Sequence, residues 1–291
     1  MSGVGFKQVD VFTAQPLRGN PVAVVLDAVG LDGAAMQHIA TWTNLSETTF
    51  VLPPEAPGAS YRVRIFTPGR ELPFAGHPSI GTAHALLEAG LVEADADGRL
   101  LQECAAGLLP VQVEGSGDAR WIRVRAPQAR SLPLDPAWTA LLDHALRELP
   151  RGGLPPALYD NGPVWWLVEL SDEVALRSWR PDLAGIAALC RSSDAVGLAA
   201  FAGARGDGYQ RVVRAFCPAD GIPEDPVTGS ANAAIGAMLR DRGVLAAGDR
   251  YLASQGRELA RDGRVEVAIG DDGVWIGGQS VTVIDGRFRA F

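Results

Sequence analysis

The sequence contains few of the residues that most often bind metals or form disulfides. Its 291 residues include three cysteines and four histidines. The cysteines are widely spaced, with no C-x-x-C pair, and the histidines lack the carboxylate and histidine spacing found in zinc or iron sites. This scarcity argues against a metal site and a disulfide framework, and it favours a reducing cytoplasm as the location of the protein.

Clustered positive charge and long hydrophobic runs are also missing. Acidic residues outnumber basic ones by 34 to 26, which gives a net charge of -8, and the arginines are scattered rather than grouped into a nucleic-acid-binding patch. The longest uncharged stretch, 72–87, contains two prolines, two glycines and two histidines, so it is a poor membrane span. Residues 1–12 lack the basic start and apolar run of a signal peptide. We therefore expect neither nucleic acid nor a membrane as a partner.

What the sequence does contain is one phrase that occurs twice, about half the chain apart. The first copy runs from Arg64 to Gly90 and the second from Arg214 to Gly243. Each copy leads from an Arg-x-Phe-x-Pro strand motif into a glycine-led helix rich in small residues. A recurrence of this length predicts two similar lobes, because a solenoid needs at least three short repeats. Each lobe would direct one helix N-terminus, with its free N–H groups and positive dipole end, at a cleft between the lobes.

Short alternating segments bounded by turn residues dominate the rest of the chain. Asp-Gly and other glycine-containing links predict hairpins and a largely antiparallel sheet, and no glycine-rich phosphate loop follows a strand as in a Rossmann fold. The repeat helices are small and weakly polar nearly all round, which predicts that they are buried. The predicted fold class is α+β, with two pseudo-symmetric lobes that each wrap a barrel-like, mostly antiparallel sheet around a central helix. We assign 1–118 to the first lobe and 119–279 to the second, with 280–291 returning to the first.

The two copies differ where their helices begin. The first copy has His77 and the second has Ser230, with Asp225 just upstream. A histidine near a helix N-terminus is favoured in its neutral form, which can donate or accept a proton near neutral pH. Serine is a strong N-cap, so both residues could instead serve only to cap their helices. The backbone N–H groups of Gly76 and Gly229 are candidates for binding a carboxylate or phosphate.

A further candidate, Glu47, lies outside the repeat. It is the only charged residue between Gly33 and Pro54. A carboxylate held among apolar neighbours can act as a general acid and base in turn, whereas a lone glutamate at a strand edge is most often a surface residue. A hydrolase is disfavoured, because Ser230 has no identifiable base and the Gly-x-Ser-x-Gly pattern is absent.

Several segments, taken in order, resemble the PhzF-like phenazine-biosynthesis isomerases, which are part of the diaminopimelate epimerase and proline racemase superfamily. The matching segments extend over nearly the whole chain. They are Val9-Asp-Val-Phe-Thr13, Gly19-Asn-Pro-Val-Ala23, Asn44-Leu-Ser-Glu-Thr48, Arg64-Ile-Phe-Thr-Pro68, Leu72-Pro-Phe-Ala-Gly-His-Pro78, Ala106-Gly107, Glu224-Asp-Pro-Val-Thr-Gly-Ser-Ala-Asn232 and Gly277-Gly278.

This resemblance implies a fold of two similar lobes that uses no cofactor and no metal, with the active site between the lobes, and it is compatible with a homodimer. In the epimerase branch two cysteines at the helix starts act as opposing acid and base, whereas this sequence has His77 and Ser230 there. In the PhzF-like branch the glutamate that matches Glu47 moves a proton along the substrate. By the same carry-over, His77 and Asp225 assist catalysis, and Ser230 and the glycine amides bind the substrate.

Both lines of reasoning lead to one hypothesis: Glu47 isomerises a small carboxylate-bearing substrate by moving a proton from one carbon to another. Two alternatives of other kinds stay open. One is an epimerase or racemase that uses Glu47 and His77 as an unequal pair, and the other is a protein that binds a small carboxylate without catalysis. The sequence identifies neither the substrate nor a phenazine pathway.

Overall fold

Short strands and a few helices follow one another along the chain. The computed structural model describes residues 3–147, 149–204 and 208–289. The strands are β1 (Val4–Val11), β2 (Asn20–Val25), β3 (Glu47–Leu52), β4 (Tyr61–Phe66), β5 (Glu71–Leu72), β6 (Arg99–Cys104), β7 (Gly107–Glu114), β8 (Trp121–Arg125), β9 (Arg130–Leu132), β10 (Ala157–Asp160), β11 (Val164–Glu169), β12 (Gly197–Gly203), β13 (Arg211–Cys217), β14 (Ile222–Asp225), β15 (Arg250–Gln255), β16 (Gly263–Gly270), β17 (Gly273–Gly278) and β18 (Ser280–Phe288). The α-helices are α1 (Gly33–Thr43), α2 (Gly76–Glu88), α3 (Thr139–Ala145), α4 (Glu173–Ser178), α5 (Leu183–Ser193) and α6 (Gly229–Asp241). Among the described residues no helix is both long and apolar enough to cross a bilayer.

These elements pack into two units. One consists of Met1–Arg125 and Gly277–Phe291, and the other of Ala126–Ile276. The boundary drawn from the sequence after residue 118 precedes β8, whereas β8 packs in the first unit. The segment 280–291, which the sequence analysis returned to the first lobe, contains β18, and β18 pairs antiparallel with β1. Residues 290 and 291 lie outside the described part of the chain.

The sheet of the first unit pairs in the order β18, β1, β2, β3, β4, β6, β7 and β8, with β5 attached to β4. Two of these pairings are parallel, β2 with β3 and β4 with β6, and the others are antiparallel. The chain passes through α1 between β2 and β3, and through α2 between β4 and β6. A parallel neighbour requires such a crossover, so each helix explains one parallel pair.

The second unit repeats this pattern. Its strands pair in the order β9, β10, β11, β12, β13, β15 and β16, with β14 attached to β13. The parallel pairs are again the ones bridged by helices, β11 with β12 and β13 with β15. The predicted α+β fold with two similar, mostly antiparallel lobes is therefore confirmed.

The two repeat helices are the buried centres of their units. In the first unit α2 packs against β1, β2, β3, β8 and β18, and it is buried from Gly76 to Leu86. In the second unit α6 packs against β10, β11 and β16. A Cβ atom at Gly81 would collide with Val22, and one at Gly236 would press against Val267, so these helices need glycine for the strands to approach.

The strand motif before each helix also folds in the same way twice. Arg64 makes two hydrogen bonds of 2.7 Å to Glu71, and Arg214 makes two of 2.8 and 2.9 Å to Glu224. Each guanidinium also lies 5.1 Å from the ring of the phenylalanine two residues later. The two copies differ in burial: the Arg64 and Glu71 side chains are 33% and 35% exposed, whereas those of Arg214 and Glu224 are 5% and 10% exposed.

A buried lysine joins three elements of the first unit. The Nζ atom of Lys7, in β1, lies 2.8 Å from Glu88 Oε2 at the end of α2 and 2.6 Å from Asp285 Oδ2 in β18. Lys7 is 4% exposed, and it is the only lysine in the sequence. Two carboxylates compensate its charge, as burial of an ammonium group requires.

Candidate functional site

Glu47 and His77 lie together in the first unit. Glu47 is the first residue of β3, and His77 is the second residue of α2. The Glu47 Oε2 and His77 Nε2 atoms are 3.3 Å apart, and the two side chains are 15% and 8% exposed. Two residues that the sequence singled out separately are thus in contact, with restricted access to water.

The surroundings of His77 fix its protonation. Burial lowers the pKa of His77 to about 3, against the opposing effect of a hydrogen bond with the backbone of Pro21. Proline has no N–H, so its carbonyl must accept that bond from the imidazole. Because Nε2 faces Glu47, the proton is assigned to Nδ1. The neutral ring therefore presents the lone pair of Nε2 to the Glu47 carboxyl group, which can donate to it in its acid form.

We expect the imidazole of His77 to remain neutral, with its proton on Nδ1, from pH 5 to pH 8. The cause is the burial that lowers the pKa of His77 to about 3, well below this range. Nitrogen-15 NMR of histidine-labelled protein would report the tautomer directly. A His77 signal that changes to the imidazolium form above pH 5 would contradict the assignment.

The start of α2 is suited to bind an anion. The N-cap residue is Ala75, whose side chain makes no hydrogen bond to the N–H groups of the first turn. Gly76 and His77 follow as the first two helical residues, and N–H groups at these positions have no acceptor within the helix. The positive end of the helix dipole adds to the attraction for a carboxylate at this point.

In the second unit, the predicted residues Asp225, Gly229 and Ser230 also come close together. Asp225 is the last residue of β14, and α6 begins at Gly229. The Oγ1 atom of the intervening Thr228 donates a 2.5 Å hydrogen bond to Asp225 Oδ2. The prediction that this helix start and that of α2 line one cleft stays a prediction.

Ser230 does not cap its helix, so that interpretation is wrong. The N-cap of α6 is Thr228, and Ser230 is already the second helical residue. Its Oγ accepts a 3.2 Å hydrogen bond from Trp165 Nε1, and its carbonyl accepts one of 2.9 Å from Asn161 Nδ2. Because the indole N–H can only donate, the Ser230 hydroxyl accepts this bond and its own proton is not used in it. His77 likewise follows the N-cap of α2 and does not cap it.

Sequence reasoning missed a buried polar cluster around this helix start. Gln255, at the end of β15, accepts from the backbone N–H of Thr228 at 3.0 Å and from Asn232 Nδ2 at 3.0 Å. Gln255 is 1% exposed, and Asn232 is fully buried. The available signal was a glutamine that follows the mostly apolar segment Tyr251–Ser254.

The cysteines are not placed for the two-thiol chemistry of the epimerase branch. Cys190 and Cys217 are buried, and burial raises the pKa of the Cys190 thiol to about 12 and also raises the pKa of the Cys217 thiol. None of the three cysteines, Cys104 included, lies at the start of α2 or α6. Within residues 3–147, 149–204 and 208–289, no cluster of three or more His, Cys, Asp or Glu side chains could hold a metal ion.

The chain is similar to known proteins both in sequence and in structure. The family described as phenazine biosynthesis-like protein (PhzC-PhzF) matches residues 9–286. Antisense-enhancing sequence 1 of Schizosaccharomyces pombe is 35% identical over 296 residues, which cover 99% of each chain. A trans-2,3-dihydro-3-hydroxyanthranilate isomerase of Pseudomonas aeruginosa is 39% identical over 261 residues, which cover 88% of this chain and 87% of the relative. Among solved structures, the PhzF-family phenazine biosynthesis protein of Bacillus anthracis is similar over the full length of both chains, with a TM-score of 0.86 and 27% identity.

Proposed function

Because the chain belongs to the phenazine biosynthesis-like family and is an isomerase of the PhzF type, we propose that it moves one proton along a small carboxylate-bearing substrate. Glu47 is the group that carries the proton. The observation behind this proposal is the contact between Glu47 and a buried, neutral His77, with 3.3 Å between Oε2 and Nε2.

One carboxyl group is enough for both proton transfers of the reaction. The Glu47 carboxylate removes a proton from a carbon of the substrate, and the electron pair of that C–H bond shifts into the conjugated skeleton. The acid form of Glu47 then protonates a different carbon, so the double bond migrates and the enzyme returns to its starting state. No redox change occurs in the cycle. A positioned acid/base of this kind contributes about 100- to 10,000-fold to the rate.

His77 assists without exchanging its own proton. Its Nδ1–H is committed to Pro21, and its Nε2 can accept a hydrogen bond from the acid form of Glu47. This bond orients the carboxyl group between removal and redelivery of the proton. We assign carboxylate binding beside the pair to the N–H groups of Gly76 and His77, the first two residues of α2.

The second unit supplies groups of the same kind. We assign substrate binding to the amide of Gly229 and the hydroxyl of Ser230, and an orienting role to Asp225. Trp165 supports the assignment of Ser230, since its N–H fills one acceptor position on the hydroxyl and leaves the proton for a ligand.

The two alternatives differ in how well the geometry supports them. An epimerase with Glu47 and His77 as opposed bases is less well supported, because the two side chains are in contact with each other and Nε2 faces the carboxyl. Opposed bases must approach one carbon from two sides. A protein that only binds a carboxylate would not require the buried pair.

Incubation with trans-2,3-dihydro-3-hydroxyanthranilate and a panel of cyclic and amino carboxylates in heavy water tests the proposal. Proton NMR should detect migration of a double bond, with deuterium at the newly formed C–H position in part of the product. Exchange and loss of optical rotation without migration would instead identify an epimerase. Calorimetric binding with no exchange in any compound would identify a binding protein and overturn the proposal.

A further inference from the structure

Both central helices are held at their first turn by a buried glutamine from a neighbouring strand. In the first unit, Nε2 of Gln102 in β6 donates to Ser79 Oγ at 3.0 Å. Ser79 Oγ donates in turn to the carbonyl of the N-cap residue Ala75 at 2.9 Å. Gln102 and Ser79 are fully buried. The glutamine therefore fixes the helix start through one helical side chain.

The second unit has the same arrangement, with Asn232 in the place of Ser79 and Gln255 in that of Gln102. Asn232 Nδ2 donates to the carbonyl of the N-cap residue Thr228 at 2.9 Å and to Gln255 Oε1 at 3.0 Å. Gln255 reaches further than Gln102, however. Its Nε2 donates to Thr228 Oγ1 at 2.9 Å and to the Asp225 carbonyl at 3.1 Å.

These bonds determine the direction of every proton in the cluster. The backbone N–H of Thr228 can only donate, so the atom of Gln255 that faces it must be the amide oxygen. The amide NH₂ group then faces Thr228 Oγ1 and donates to it. Having accepted this bond, the Thr228 hydroxyl gives its own proton to Asp225 Oδ2, 2.5 Å away.

We propose that Gln255 is a positioning residue that acts through the Thr228 hydroxyl to hold Asp225 as an oriented, hydrogen-bond-accepting carboxylate. A hydrogen bond donated to a carboxylate favours its charged form and fixes its orientation. The role in catalysis rests on the proposed function, in which Asp225 orients the substrate. The hydrogen-bond relay, which runs from Gln255 Nε2 through Thr228 Oγ1 to Asp225 Oδ2, does not itself depend on that function.

The carbon-13 NMR signal of the Asp225 carboxyl group, assigned with Asp225→Asn, tests the relay at a single pH near neutrality. Thr228→Val removes the hydroxyl in a side chain of nearly the same shape, and we expect the signal to shift. Thr228→Ser keeps the hydroxyl and should retain the wild-type position. Gln255→Leu should shift the signal as Thr228→Val does, whereas Gln102→Leu, the matched change in the first unit, should leave it in place.

Activity provides the second measurement, on the compound that wild-type protein converts. Loss of a hydrogen bond to a charged group should lower kcat about 10- to 100-fold in Thr228→Val, with recovery in Thr228→Ser. An unmoved carboxyl signal in Thr228→Val and Gln255→Leu would overturn the relay, whatever their stability. If wild-type protein converts no compound, the proposed function and the catalytic role of Gln255 both fail, while the carboxyl signal still decides the relay.

Discussion

Replacement of Glu47 by glutamine should lower kcat about 100- to 10,000-fold and leave the protein folded. Glutamine has nearly the same shape, and its amide N–H can donate to His77 Nε2, but it cannot take a proton from carbon. Because the Glu47 and His77 side chains already lie 3.3 Å apart, the amide should keep the same packing and remove only the ability to carry a proton. Steady-state kinetics should show the loss mainly in kcat, and circular dichroism should be unchanged.

A matched control separates loss of the reacting group from loss of charge. Glu55→Gln removes one negative charge from the same unit, at a side chain that is 68% exposed and paired on the surface with Arg62. We expect its kcat to stay within about twofold of wild type, since surface charges of this kind contribute little. Activity of Glu47→Gln near that of Glu55→Gln would remove Glu47 from the mechanism.

The second large effect concerns stability. Glu224→Ala should destabilise the second unit by about 3–5 kcal/mol, because it leaves the buried guanidinium of Arg214 without a counter-charge. Arg214 also donates from Nη1 to the carbonyls of Leu176 and Trp179, so it cannot move out to water without breaking these bonds. Denaturant titration followed by tryptophan fluorescence would measure the change, since Trp179 packs edge-on against Phe216.

The repeat supplies the control for this prediction. Glu71→Ala removes the partner of Arg64 from a hydrogen-bonded pair of the same geometry, but about one third of each side chain is exposed to solvent. Water can then solvate the arginine, and the cost should stay below about 1 kcal/mol. Equal losses from the two substitutions would contradict the view that burial, rather than geometry, sets the cost.

The sequence was most informative where a local pattern determines the structure. The doubled phrase predicted two similar units with a buried helix in each. Small, weakly polar residues on all sides of a helix are typical of one that is surrounded by other elements. Asp-Gly links predicted mainly antiparallel pairing. The parallel pairs, such as β2 with β3, were not predicted, since they depend on where a crossover helix returns the chain.

The candidate site was predicted in part. Glu47 and His77 were chosen for different reasons, and the structure brings them into contact in the first unit. The contact between Thr228 and Gln255 was missed because the two residues are far apart in sequence, and Gln255 lies at the end of β15, which pairs in parallel with β13. The alternative interpretation of Ser230 as a helix cap is wrong because residue type alone does not reveal at which residue a helix begins.

Because Lys7 is the only lysine, its chemical reactivity can report local opening of the first unit. The ε-amine of Lys7 is enclosed by Glu88 and by Asp285 of β18, so an acylating reagent can reach it only when these contacts separate. No other lysine competes for the reagent. The rate at which Lys7 becomes acylated would therefore measure how often the edge formed by β1 and β18 comes apart in the otherwise folded protein.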